Sequence, residues 1–76
     1  MKKKTIAILG STGSIGQSTL ELIKKSNEFE VKLLFANKNF FKIINQIRVF
    51  KPSIVIVNNE NIFLKIKKRY QKKKIV

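Results

Sequence analysis

Lys4 to Leu22 reads KTIAILGSTGSIGQSTLEL, and this stretch decides the fold. A β-branched, apolar run over Thr5–Leu9 breaks into three glycines, Gly10, Gly13 and Gly16, and an amphipathic helical pattern follows at once. Strand, glycine turn and helix start, in that order, build a phosphate cradle. A helix N-terminus carries unpaired N–H groups and the positive end of the macrodipole, so it attracts an anion before any side chain contributes. Each glycine has a physical role. Gly10 allows the tight turn off the strand, Gly13 the close approach of a pyrophosphate, and Gly16 the close packing of helix on sheet. Ser11, Thr12 and Ser14 are expected to add hydroxyl donors, with Ser14 as the helix N-cap. The spacing is G-x-x-G-x-x-G rather than G-x-G-x-x-G, and no Lys follows as in a Walker P-loop. A glycine cluster can also be a plain turn; its position between a buried strand and a helix favours the cradle.

Outward from this stretch, apolar runs and helical stripes alternate. After strand Thr5–Leu9, the spacing predicts a helix over about Ile15–Lys25, with Ile15, Leu20, Leu22 and Ile23 as its apolar positions. A strand Val31–Ala36 and a polar turn Asn37-Lys38-Asn39 follow. The next helix, about Phe40–Phe50, has a stripe of Phe40, Ile43, Ile44, Ile47 and Phe50, and Lys51-Pro52 stops it. Then come a strand Ile54–Val57, a turn over residues 58–61, and a helix of about Ile62–Gln71 with Ile62, Phe63, Ile66 and Tyr70 on one side. Ile75-Val76 reads as the start of a fourth strand. The order β-α-β-α-β-α-β with short connections implies an α/β fold, a Rossmann-like doubly wound parallel sheet that is incomplete, leaving an unpaired edge and an apolar face exposed.

The turn after the second strand bears on cofactor choice. An NAD site calls for Asp or Glu about 20 residues past the fingerprint, to accept from the ribose hydroxyls. Here the turn holds Asn37, Lys38 and Asn39, a cation and two amides suited to a dianionic 2′-phosphate. NADP(H) is therefore expected over NAD(H). The alternative is that Lys38 is one more surface lysine.

Composition limits the other classes. The chain has 76 residues, no cysteine, no histidine and 43% hydrophobic residues: one small domain at most, of a size that tends to be marginal, with no disulfide or zinc staple to help. Seventeen Lys and Arg against four Asp and Glu give a formal charge of +13. Only Arg48 and Arg69 are arginines, whereas nucleic-acid readers lean on the guanidinium fork, so solvated lysine faces are preferred to a specific nucleic-acid site. The five apolar residues after Met1-Lys2-Lys3-Lys4 fall short of the about 7–15 of a secretory signal. No run approaches the ~20 apolar residues of a membrane span, and a cytoplasmic location without membrane contact is expected. Glu21, Glu28, Glu30 and Glu60 are scattered and form no metal-ligand spacing. Tyr70 and Lys74 match the Tyr-x-x-x-Lys of short-chain reductases formally, too near the N-terminus for that family's context. No catalytic residue is assigned.

Ile8-Leu9-Gly10-Ser11-Thr12-Gly13-Ser14-Ile15-Gly16, followed by Ser18-Thr19-Leu20, closely resembles the opening I-[FL]-G-S-T-G-S-I-G-x-[SN]-[TA]-L of the 1-deoxy-D-xylulose 5-phosphate reductoisomerases. Ala36-Asn37-Lys38-Asn39 resembles that family's A-G-K-N turn, with Asn37 in place of the glycine of many members, and Phe50-Lys51-Pro52 its F-x-P segment. The resemblance implies an enzyme that rearranges 1-deoxy-D-xylulose 5-phosphate and reduces the product with NADPH to 2-C-methyl-D-erythritol 4-phosphate, in non-mevalonate isoprenoid biosynthesis. It implies that Thr12, Gly13, Ser14 and Ile15 hold the NADPH pyrophosphate region, framed by Gly10, Ser11 and Gly16. Asn37, Lys38 and Asn39 would meet the 2′-phosphate. It also implies a Mg²⁺ or Mn²⁺ site with no ligands in this chain, a phosphosugar substrate and a homodimer. On this reading residues 1–76 are the N-terminal part of the NADPH-binding domain, and the chain by itself is expected to be inactive. A small basic nucleic-acid-binding module and a fragment of another NADP-dependent Rossmann reductase are the alternatives.

Overall fold

The computed structural model describes residues 3–76, so Met1 and Lys2 of the basic start lie outside the described residues. Four strands and three helices alternate: β1 (Lys4–Leu9), α1 (Ser14–Lys24), β2 (Phe29–Ala36), α2 (Phe40–Phe50), β3 (Ile54–Val57), α3 (Glu60–Arg69) and β4 (Lys74–Ile75). The strands form one parallel sheet in the order β1-β2-β3-β4. Every crossover therefore steps the same way. Crossovers of one hand that step one way carry all their helices to one face.

The core follows from that topology. Leu20 of α1 packs on Ile8, Val31 and Leu34, while Ile43 and Ile47 of α2 and Ile66 of α3 pack on Ala36, Val55, Val57 and Ile75. A register shift between Ile6 and Ala7, opposite Val31 and Leu33, inserts Lys32 as an extra residue in β2 and breaks its alternation, so that Val31, Leu34 and Ala36 all point to the helices. The opposite face carries Leu9, Leu33, Phe35, Ile54 and Ile56, apolar but not covered; Leu9 is 75% exposed. Parallel strands are apolar on both faces because both are normally covered. Here the helices cover one face, and the other face and the β1 edge are open.

Helix boundaries fall where local chemistry puts them. The Asn39 side chain accepts from Lys42 N at 3.2 Å and caps α2, and the Asn59 side chain accepts from Ile62 N at 3.1 Å and caps α3. That second cap starts α3 two residues ahead of the apolar stripe used to place it. In α1 the apolar positions are not one face: Leu20 is buried and Ile23 half-buried, but Ile15 and Leu22 are 84% and 71% exposed. A helix that covers a sheet from one side needs only a narrow apolar stripe, and these two residues point away from it.

Helix α2 ends at Lys51, which has a left-handed backbone (φ 48°) and donates its N–H to Ile47 O at 2.9 Å, ahead of buried Pro52. A side chain in this conformation costs about 1–2 kcal/mol that glycine avoids. Lys51→Gly is expected to stabilise the fold by about 0.5–1 kcal/mol, a rise of about 3–6 °C in Tm by thermal unfolding. An unchanged or lower Tm would show that the αL strain is relieved another way.

Candidate functional site

The glycine turn occupies the carboxyl end of β1, where α/β sheets hold their ligands. Gly10 takes φ +74°, and its N–H and that of Ser11 both donate to Phe35 O, at 2.8 and 3.0 Å. The chain is thus tied to β2 as it leaves the strand. It closes on itself through Gly13 N to Gly10 O at 3.0 Å, and α1 begins with Gln17 N to Gly13 O at 2.9 Å.

The two later glycines differ in what they make room for. A Cβ on Gly16 would lie 2.1 Å from Gly10 O and 2.9 Å from Ser11 Cα, so the helix can sit on the turn only without one. A Cβ on Gly13 would meet nothing closer than Gly10 O at 3.4 Å, an ordinary contact. Protein packing therefore demands glycine at 16 and not at 13. A bare backbone that the fold does not need is what close approach of a ligand does need.

Gly13, not Ser14, is the N-cap of α1, and no side chain caps it. Ser14 is the first helical residue, so its hydroxyl cannot turn back onto the N–H groups of the first turn as an N-cap would. Among the described residues the N–H groups of Thr12, Ser14, Ile15 and Gly16 have no backbone acceptor. Thr12, Gly13, Ser14 and Ile15 are all at least partly accessible, and Gly16 forms the buried floor. These amides and the positive helix end make a nest for an anion.

Ser11 departs from its expected role. It is fully buried and its Oγ has no partner, enclosed between the floor of the turn and α2. Its hydroxyl faces the interior, and only Thr12 and Ser14 keep hydroxyls on the accessible side. Asn37, Lys38 and Asn39 are exposed at the end of β2, next to β1 in the sheet. Asn39 already engages its carbonyl oxygen in the α2 cap, which leaves its amide nitrogen as a donor.

Between the two turns lies a cleft of about 330 Å³, lined by Leu9, Gly10, Phe35, Ala36, Asn37 and Asn58. Leu9, Phe35 and Asn58 were not singled out in the sequence. Leu9 and Phe35 read there as interior strand residues; they become cleft walls because their side of the sheet is open. Asn58 is placed by its N–H, which donates to Ala36 O at 3.0 Å and holds the β3 end beside β2.

The remaining candidates resolve structurally. Tyr70 is the C-cap of α3 and Lys74 opens β4, so the two share no helix. A larger cleft of about 780 Å³ is lined by Ser53 and residues 68–74, five of them Lys or Arg, at the far end of α3. Lys67, Lys68 and Arg69 in the last turn of α3 complement the helix dipole there. Among the described residues there is no group of three acids, histidines or cysteines able to hold a metal, and no helix long and apolar enough to cross a membrane.

A sequence model of the 1-deoxy-D-xylulose 5-phosphate reductoisomerases matches residues 6–76. The chain belongs to this family. It is 50% identical over 62 residues to the reductoisomerase of Pelagibacter ubique, covering 80% of this chain and 16% of that protein. To the Clostridium novyi enzyme it is 48% identical over 65 residues, covering 84% and 17%. The fold superposes on the Zymomonas mobilis reductoisomerase in complex with NADPH with a TM-score of 0.84 at 25% identity, covering 97% of this chain and 20% of that one. A reductoisomerase solved with NADPH, fosmidomycin and magnesium gives a TM-score of 0.85 at 26% identity, with 96% and 19% covered. The chain spans about one sixth of the length of the curated relatives it matches.

The two glycines differ in what the fold demands of them. Gly16→Ala is expected to destabilise the fold by about 3 kcal/mol or more, because backbone rather than a flexible side chain blocks the methyl. Gly13→Ala is expected to cost at most about 1 kcal/mol in thermal unfolding. A Gly13→Ala protein as unstable as Gly16→Ala would show that position 13 serves packing.

Proposed function

We propose that this chain is an NADPH-binding portion of a 1-deoxy-D-xylulose 5-phosphate reductoisomerase, and that residues 1–76 form the first part of its cofactor domain. The observation that carries the reading is the set of unpaired amides at Thr12, Ser14, Ile15 and Gly16 above a glycine whose Cβ the fold would admit. Thr12, Gly13, Ser14 and Ile15 hold the cofactor's pyrophosphate. Gly10, Ser11 and Gly16 frame the turn without offering side chains to the ligand. The Lys38 ammonium and the amides of Asn37 and Asn39 take the 2′-phosphate, which a carboxylate at this point would repel. The cleft at Leu9, Phe35 and Asn58 receives the adenosine between these two charged ends.

When bound, the cofactor supplies a hydride for reduction; this chain's residues anchor and orient it. The rearrangement of the phosphosugar, the divalent metal, a homodimeric assembly and a cytoplasmic setting belong to the same proposal. They rest on the family, whose solved members carry NADPH and magnesium.

Titrating NADPH and NADH by fluorescence tests the assignment. NADPH is expected to bind at least about tenfold more tightly, and Lys38→Gln to remove that preference by weakening NADPH alone, as loss of one charge-assisted contact requires. Equal affinities in the unsubstituted chain would refute the 2′-phosphate role of Lys38. Binding that collapses with salt for both cofactors alike would mark general attraction to a cationic surface instead.

A further inference from the structure

Helix α2 carries a glutamine that its apolar stripe does not explain. Gln46 is 6% exposed, and its Nε2 donates to Ser11 O at 2.7 Å across thirty-five residues of sequence. Its Oε1 and the Ser11 Oγ are both buried without a partner. A buried amide with half its capacity unused is costly to keep, and an apolar residue would fit the stripe around it better.

The bond matters because of which peptide it grips. Ser11 O and Thr12 N–H belong to one planar trans peptide unit and point in opposite directions. Drawing Ser11 O inward to Gln46 aims Thr12 N–H outward, to the side where the unpaired amides of Ser14 and Ile15 lie. The neighbouring carbonyls are tied down as well: Thr12 O accepts from Gln17 Nε2 at 2.9 Å, Gly10 O from Gly13 N, and Gly13 O from Gln17 N. These bonds stay within the turn and the helix it opens; only the Ser11 carbonyl is held from beyond them, by α2. Released, that peptide can flip, which would turn an oxygen toward the anion in place of an N–H.

We infer that Gln46 is a positioning residue for the pyrophosphate site, acting through Ser11 O to keep the Thr12 amide facing the ligand. The inference rests on the NADPH reading of the turn. It concerns a residue buried behind the turn, whose side chain makes its one hydrogen bond to the Ser11 carbonyl.

Gln46→Met keeps the length and helix preference of the side chain and removes the donor. In isothermal titration, NADPH and ADP, which both carry a diphosphate, are each expected to bind about tenfold more weakly. 2′-AMP, which probes only the turn at Lys38, should stay within twofold. Should the Met variant fail to fold, Gln46→Leu, which also removes the donor and suits the apolar stripe around it, should give the same split. Unchanged ADP and NADPH affinities would overturn the inference, as would equal losses for ADP and 2′-AMP or collapse of both variants, since these mark general support of the fold. Gly13→Ala serves as the control on the underlying reading. If it weakens NADPH while Gln46→Met does not, the site stands and Gln46 has no part in it. If the unsubstituted chain binds neither ADP nor NADPH, the cofactor reading fails and this inference with it.

Discussion

Helix α1 can start where it does only because the backbone of Gly16 rests against Gly10 and Ser11. A single methyl there would stand 2.1 Å from Gly10 O. Everything around the turn follows from that contact. It brings the helix N-terminus close to the strand end, fixes the left-handed Gly10, and folds the intervening carbonyls under the chain. It also explains why the amide dipoles converge. A turn one side chain wider would let the carbonyls of residues 11 and 12 reach solvent, and the local field would lose its sign.

Holding that field costs polar groups in the interior. Ser11 is fully buried, and Gln46 occupies a helix face otherwise given to Ile43, Ile47 and their neighbours. Interiors built for stability alone avoid such residues, because an unsatisfied buried donor or acceptor costs about 1–3 kcal/mol. Among the described residues the buried polar side chains stand beside the turn and not elsewhere in the core, which ties the cost to the geometry of the peptide there. The two orphaned atoms are complementary in kind, a hydroxyl donor and a carbonyl acceptor on residues already joined by one hydrogen bond.

Much of this architecture was legible in the sequence because its signals are local. The α2 stripe and the four β-branched residues of β3 gave those boundaries as found, since one periodicity and one set of breakers fix each. Strand β2 begins two residues ahead of its apolar run, at Phe29, because pairing with β1 extends it. Two things escaped. The α1 stripe was too generous, since apolarity at Ile15 and Leu22 carries no information about which side faces the sheet. Gln46 escaped because its partner is a backbone carbonyl, which leaves no mark in a side-chain pattern. Within the site, the glycine spacing and the acid-free turn were readable, but the inward Ser11 was not. Whether a serine in such a turn faces ligand or core depends on what packs behind it, here a helix residue thirty-five positions on.

The strong positive charge takes its place beside this geometry rather than in competition with it. Two of the lysines have structural employment: the Lys65 ammonium lies over the Phe40 ring, 5.8 Å from its centroid, and that of Lys67 over the Phe63 ring at 5.7 Å. Their charges add a long-range attraction for any polyphosphate, but beyond about 8 Å at physiological ionic strength that attraction is screened and indifferent to shape. Selection must come from contacts inside that distance. The turn supplies fixed N–H dipoles whose direction is set by the backbone, and Lys38 supplies one charge placed by the end of β2. A lysine-rich surface can gather anions, whereas a turn with its carbonyls tied away presents N–H dipoles of one fixed direction, which is what the proposed diphosphate site requires.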